Sequence, residues 1–146
     1  MIVKVRKTDA RAKLPTYGSA EAAGADLYAL LPAETLTVAA GKTEMIHTGV
    51  AMEIPAGYVG LVCARSGLAS KRGLAPANKV GVIDSDYRGE IIVALHNHSD
   101  ADQSIADGER VAQLVIVPYL AADLQEVETL SDTERGAGGF GSTGKK

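Results

Sequence analysis

Three features of the sequence predict an all-β fold of the sandwich, barrel or jelly-roll kind. Apolar residues gather in short stretches instead of recurring at helical spacing, the stretches are rich in Val, Ile and Leu, and turn-forming residues fall densely between them. The stretches are Ile2–Val5, Ala25–Leu31, Glu44–Ile54, Tyr58–Ala64, Glu90–His96 and Val111–Val117. Pro15, Pro32, Gly41, Pro55-Ala-Gly57, Asp100, Asp107-Gly108 and Pro118 stand where the chain should reverse. Many short strands joined by such turns bury their apolar faces by forming two packed sheets or a closed barrel.

A length of 146 residues, 46% hydrophobic and 23% charged, fits one globular domain with a substantial core. The net charge of −3 gives no overall reason to bind nucleic acid or an acidic surface, so an anionic ligand must be met locally. Cys63 is the only cysteine, which excludes an intrachain disulfide, suits a reducing compartment and reads as a buried strand thiol. Met1-Ile-Val-Lys-Val-Arg-Lys7 lacks the apolar run of a signal peptide, so the expected location is cytoplasmic, without a membrane partner.

One helical turn is expected over Ser66-Gly-Leu-Ala-Ser-Lys-Arg72, with Ser66 as its cap, although Gly67 weakens it. In Glu90–His96, Ile91, Val93 and Leu95 lie opposite Ile92 and Ala94, so both faces of that strand call for cover, and a subunit interface would supply it. From about Thr129 the composition turns to Ser, Thr, Gly and charges. The expected organisation is a β domain over 1–130 and a flexible arm over 131–146, with Phe140 the sole large apolar side chain beyond Arg135.

That arm carries a misleading match. Gly139-Phe-Gly-Ser-Thr-Gly-Lys145 has P-loop spacing, yet Lys146 replaces the hydroxyl residue that would hold magnesium, and no apolar strand precedes it. Its glycines, with Arg135, Ser142 and Thr143, can still donate to phosphate, and Phe140 can stack on a base. Gly81-Val-Ile-Asp-Ser-Asp-Tyr-Arg-Gly-Glu90 reads as a turn-rich hairpin. It is either an ordinary polar loop or the place where an aspartate, Asp84 or Asp86, orients and deprotonates a water. Ala64-Arg-Ser-Gly-Leu68 sets Arg65 and Ser66 at a strand-to-helix junction suited to phosphate. Arg110 and Gln113, in Gly108-Glu-Arg-Val-Ala-Gln113, are either surface side chains or supporting donors. His96 and His98 share a strand face, and with only His47 as a third candidate they read as structural and not as metal ligands.

Taken together, these segments resemble the trimeric dUTPase family, whose five motifs occur here in order. Ala23-Gly-Ala-Asp-Leu27 resembles the first, Ala64-Arg-Ser-Gly-Leu68 the second and Gly81-Val-Ile-Asp-Ser-Asp-Tyr-Arg-Gly-Glu-Ile91 the third. Gly108-Glu-Arg-Val-Ala-Gln113 resembles the fourth and Arg135-Gly-Ala-Gly-Gly-Phe-Gly-Ser-Thr-Gly144 the fifth. The resemblance implies a jelly-roll-like distorted β-barrel assembled as a homotrimer with shared active sites. It implies hydrolysis of dUTP to dUMP and pyrophosphate, with Mg2+ carried by the substrate phosphates, lowering dUTP and supplying dUMP for thymidylate synthesis. By the same resemblance Asp84 activates the attacking water and Tyr87 packs on the deoxyribose. Asn78, Val82, Ile83 and Ile92 surround the uracil, while Arg65, Ser66, Gly67 and Gln113 meet the phosphates. Arg110 supports them, and Asp26 lies near the metal, through water and not as a direct ligand. Arg135, Phe140, Gly141, Ser142 and Thr143 close over the nucleotide. A dCTP deaminase of the same fold and a non-catalytic nucleotide-binding relative are the competing expectations.

Overall fold

A computed structural model describes residues 1–139 of the chain. In chain order the elements are β1 (Lys4–Lys7), β2 (Thr16–Tyr17), β3 (Gly24–Tyr28), β4 (Thr35–Val38), β5 (Thr43–Glu53) and β6 (Tyr58–Cys63). The helix α1 (Ser66–Arg72) follows, and then β7 (Leu74–Pro76), β8 (Gly81–Ile83), β9 (Glu90–Asn97), β10 (Gln103–Ala106) and β11 (Arg110–Pro118). They form a four-stranded sheet ordered β1-β5-β9-β7, a five-stranded sheet ordered β2-β3-β11-β6-β8, and the pair β10-β4. Every strand pairing is antiparallel, giving the all-β, jelly-roll-like architecture the sequence predicts.

The core lies between the sheets. Leu27, Ile46, Val93, Leu95, Ile105 and Val111 are each 0–1% exposed, because alternate residues along a strand point to one face. In β9 that face carries Ile91, Val93, Leu95 and Asn97, whereas Ile92 on the other face remains 37% exposed. The second face of β9 is therefore only partly covered by the described residues, with Ala94 and His96 half-buried beside the exposed Ile92. Asn97 is 0% exposed and fully satisfied. Its amide donates to the carbonyls of Val38 at 2.9 Å and Ala101 at 2.8 Å, and its Oδ1 accepts from the amide and hydroxyl of Ser99 at 3.0 and 2.7 Å. One buried side chain thus fastens the end of β9 to β4 and to the turn before β10.

Three expectations are corrected. Ser66 is the first helical residue, not the cap; the capping position is Arg65, in extended backbone and without a capping side-chain bond. The helix stops at Gly73, at φ 66°, where a Cβ would approach the Ser99 amide nitrogen to 3.0 Å, so only glycine fits without strain. Gly81–Glu90 is not a hairpin: β8 pairs with β6 and β9 pairs with β5, so 84–89 crosses from one sheet to the other. Cys63 is only half-buried. Beyond β11, residues 119–137 are all exposed and form no helix or strand. No helix of the described residues is long and apolar enough to cross a membrane.

Replacing Asn97 with Ala should lower the unfolding free energy by about 3 kcal/mol, since two carbonyls and the Ser99 donors lose partners in a dry environment. Urea denaturation reads this directly, and an unchanged midpoint would show that water replaces the amide without loss.

Candidate functional site

Asp26 organises one half of the candidate site. It sits in the middle of β3, only 7% exposed, and both of its oxygens are engaged. Arg65 donates Nε to Oδ1 at 2.7 Å, and Arg110 donates an Nη to Oδ2 at 3.1 Å. A buried carboxylate is tolerated when such partners replace its water. Arg65 comes from the junction of β6 and α1, and Arg110 opens β11, so the one carboxylate joins three segments. Beside it, Gln113 faces Asp26 across the β3–β11 pairing and gives its amide to the Ala64 carbonyl at 2.9 Å. Gly24 makes room: a Cβ there would stand 2.5 Å from Gln113 Oε1.

These groups line a cavity of ≈ 570 Å³ together with Ser66, Gly67, Lys71 and Arg72. Arg65, Lys71, Arg72 and Arg110 line the cavity with one carboxylate, Asp26, and even with Arg72 paired to Glu109 behind it the lining keeps a net positive charge, which suits an anion. A Cβ on Gly67 would meet nothing within 4 Å, so the space above it belongs to the cavity. Arg72 is braced from behind by Glu109 at 2.5 Å, by Gln103 and by the Ser104 carbonyl, which fixes the end of α1 against the turn leading to Arg110. Sequence reasoning passed over Lys71 and Arg72 as cavity residues. Two adjacent bases in the last turn of the helix were the available signal, but only the fold shows which face they line.

The structure brings together Asp26, Arg65, Ser66, Gly67, Arg110 and Gln113 and keeps the remaining predicted residues apart. Asn78 precedes β8, and its amide lies beside Gly81. Val82 is 62% exposed and Tyr87 44%; Asp84 is exposed and makes no ion pair among the described residues. Ile83 is half-buried in β8, and Ile92 lies on the uncovered face of β9. Asn78, Val82, Ile83, Asp84, Tyr87 and Ile92 are all absent from the lining of the cationic cavity. From β3 across β11 and β6 to β8 is three strand spacings, about 14 Å. Among the described residues Arg135 bonds within its own turn, donating to the Gly138 carbonyl at 2.8 Å. Phe140, Gly141, Ser142 and Thr143 lie outside the described residues.

No group of three or more His, Cys, Asp or Glu side chains able to hold a metal occurs among the described residues. His96 and His98 stack edge to face at 4.4 Å, with His96 Nδ1 bonded to Thr43 at 2.8 Å. With both Asp26 oxygens committed to arginine, the donor set suits a cation that arrives on a polyphosphate better than one held by the protein.

The family model described as dUTPase matches residues 10–144. A deoxyuridine 5'-triphosphate nucleotidohydrolase of Nautilia profundicola is 50% identical over 145 residues, covering 99% of this chain and 100% of the relative. Among solved structures, the dUTPase of Staphylococcus bacteriophage 80alpha, determined with dUPNHPP, superposes with a TM-score of 0.88 at 33% identity, covering 98% of each chain. A variant of the dUTPase from phage phi11 of S. aureus, described as revealing the coordination of a structural Mg(II) ion, matches with a TM-score of 0.78 at 31% identity. It covers 88% of this chain and 98% of its own.

Gly67→Ala separates folding from binding. The new methyl meets no protein atom and improves helix propensity, so thermal stability should hold or rise, by up to about 1 kcal/mol. Affinity for inorganic tripolyphosphate, measured by calorimetry, should fall because the methyl enters the cavity; unchanged affinity would place the anion elsewhere.

Proposed function

This chain belongs to the dUTPase family, and on that premise we propose that it hydrolyses dUTP to dUMP and pyrophosphate by attack of water on the α-phosphorus. The reaction lowers dUTP and supplies dUMP for thymidylate synthesis. The observation that carries this reading is the cationic cavity around Asp26, which suits a triphosphate, set apart from an exposed apolar and acidic loop that suits a nucleoside and a water.

Phosphoryl chemistry asks a protein chiefly for positioning and charge neutralisation. Arg65, Ser66, Gly67 and Gln113 meet the phosphates, and Arg110 supports them by holding the far side of Asp26. Mg2+ carried on the phosphates would add charge neutralisation there, and Asp26 would meet it through water and not as a direct ligand. Among the described residues Asp84 pairs with no cation, and in this reading its carboxylate accepts a hydrogen bond from the attacking water and takes its proton. Tyr87 lies against the deoxyribose and leaves no space for a 2′-hydroxyl. The exposed side of Val82 and Ile92, the backbone at Ile83 and the Asn78 amide receive the uracil edge. The arm over 131–146 folds across the bound nucleotide, with Phe140 on the base and Arg135, Gly141, Ser142 and Thr143 toward the phosphates.

A homotrimer completes the site. Two observations support it: the phosphate and nucleoside groups lie on different parts of one chain, and apolar side chains remain uncovered. Met45 and Ile92, 58% and 37% exposed, share the outer face of the β5–β9 pairing. In the segment after β11, Leu120, Leu124 and Leu130 are 97%, 91% and 86% exposed. Burying such a surface against other copies is favourable at roughly 25 cal/mol per Å².

Incubating the purified protein with dUTP, dCTP, dTTP and UTP in turn, with Mg2+, should give dUMP and pyrophosphate from dUTP alone. Ammonia release from dCTP would point to the deaminase branch of this fold. Asp84→Asn should reduce kcat by at least about 100-fold while dUTP binding persists, as expected for loss of a general base. Unchanged turnover would remove Asp84 from the mechanism. Truncation after Arg135 should lower activity and leave the urea midpoint unaltered.

A further inference from the structure

We propose that Glu90 is a positioning residue for Tyr87 and, through it, a determinant of the choice between 2′-deoxy and ribo nucleotides, an inference that rests on the reading of Tyr87 given above. In the β5–β9 pairing His47 faces Ile92, but Ala51 faces Glu90. Thr48, Gly49 and Val50 therefore bulge against the single residue Ile91, and the regular ladder leaves the amides of Thr48 and Gly49 without a strand partner. Glu90 supplies one. Its Oε1 accepts the Gly49 amide at 2.7 Å and the Thr48 amide at 3.2 Å, while Oε2 bonds His47 Nδ1 at 3.0 Å. Burial opposes a charge on this carboxyl, and the bonds from His47, Gly49 and Thr48 together outweigh it, so its pKa lies below the ordinary glutamate value.

The bulge itself cannot shift easily. Gly49 adopts φ 67°, and a Cβ there would stand 2.6 Å from both Ala12 and Leu30, so the turn is wedged against the core. Glu90 is thereby fixed at the first position of β9. Its own carbonyl accepts the Tyr87 hydroxyl at 2.9 Å. The Tyr87 ring lies over Gly89, where a Cβ would come within 2.5 Å of the ring carbon bearing the hydroxyl. The Tyr87 amide in turn donates to the Asp84 carbonyl at 3.1 Å. A continuous set of contacts therefore runs from the bulge through Glu90 to the ring that faces the sugar.

The test compares kcat/KM for dUTP and UTP in the full-length protein, with Glu90→Ala, Glu90→Gln and Tyr87→Phe. Glu90→Ala should reduce the preference for dUTP about five-fold or more, as expected when a hydrogen-bonded geometry is released. Glu90→Gln, which keeps the oxygen facing the two amides, should retain most of it. Tyr87→Phe keeps the ring but loses its tether, and should lose preference to a similar degree. The double variant Glu90→Ala with Tyr87→Phe should be no worse than Glu90→Ala, because both remove one linkage. Equal losses for dUTP and UTP in Glu90→Ala, with preference unchanged, would overturn the inference and leave a purely structural role. Should Glu90→Ala fail to fold, an unaltered preference in Tyr87→Phe would overturn it instead. An unsubstituted protein that hydrolyses UTP as well as dUTP would overturn the reading of Tyr87 itself, and with it this inference.

Discussion

A carboxylate removed from water must be paired or it destabilises the fold, and Asp26 is paired twice, with Arg65 and Arg110. That requirement orders much of what surrounds it. Asp26 draws the β6–α1 junction and the start of β11 onto the middle of β3, so the arginines are held by a buried charge before any ligand arrives. Pre-positioned cations need no reorganisation when a phosphate enters, which is where electrostatic catalysis gains most. Gln113 extends the same restraint to Ala64, and Arg72 holds the far end of the helix through Glu109.

The other half of the chemistry follows a different logic. The segment 84–89 crosses between sheets and is held by its ends, with β8 in the five-stranded sheet and β9 in the four-stranded one. A loop suspended in this way can present an aspartate and a tyrosine to solvent while its anchors stay rigid. The bulge in β5, filled by Glu90, braces the second of these attachments. On the proposed reading, the phosphate-binding and nucleoside-binding groups lie on separate surfaces of one chain, and assembly would let them act on one nucleotide.

The long strands were legible in the sequence because β5, β9 and β11 are long enough to show both apolar content and bounding turns. The strands β2, β4, β7, β8 and β10 were missed, having two to four residues and no period to detect. The turn-rich sequence over 81–90 was read as a hairpin for a related reason: local composition reports that the chain turns, not which sheet it rejoins. Arg65, Ser66, Gly67, Arg110 and Gln113 stood out through motifs, and the structure brings them into one cavity lining around Asp26. Glu90 carried no local signal, since its partners Thr48 and Gly49 lie some forty residues away, in a bulge that only the strand register reveals.

The division of the site between chains is the central claim, and mixed assembly tests it. Asp84→Asn disables the nucleoside half, Arg65→Ala disables the phosphate half, and each variant alone should be nearly inactive. Unfolded together, refolded and allowed to assort at random, they should recover about a quarter of the unsubstituted activity, because sites pairing the intact half of each variant form only between unlike neighbours. A mixture no more active than the separate variants would show that each chain builds its site alone.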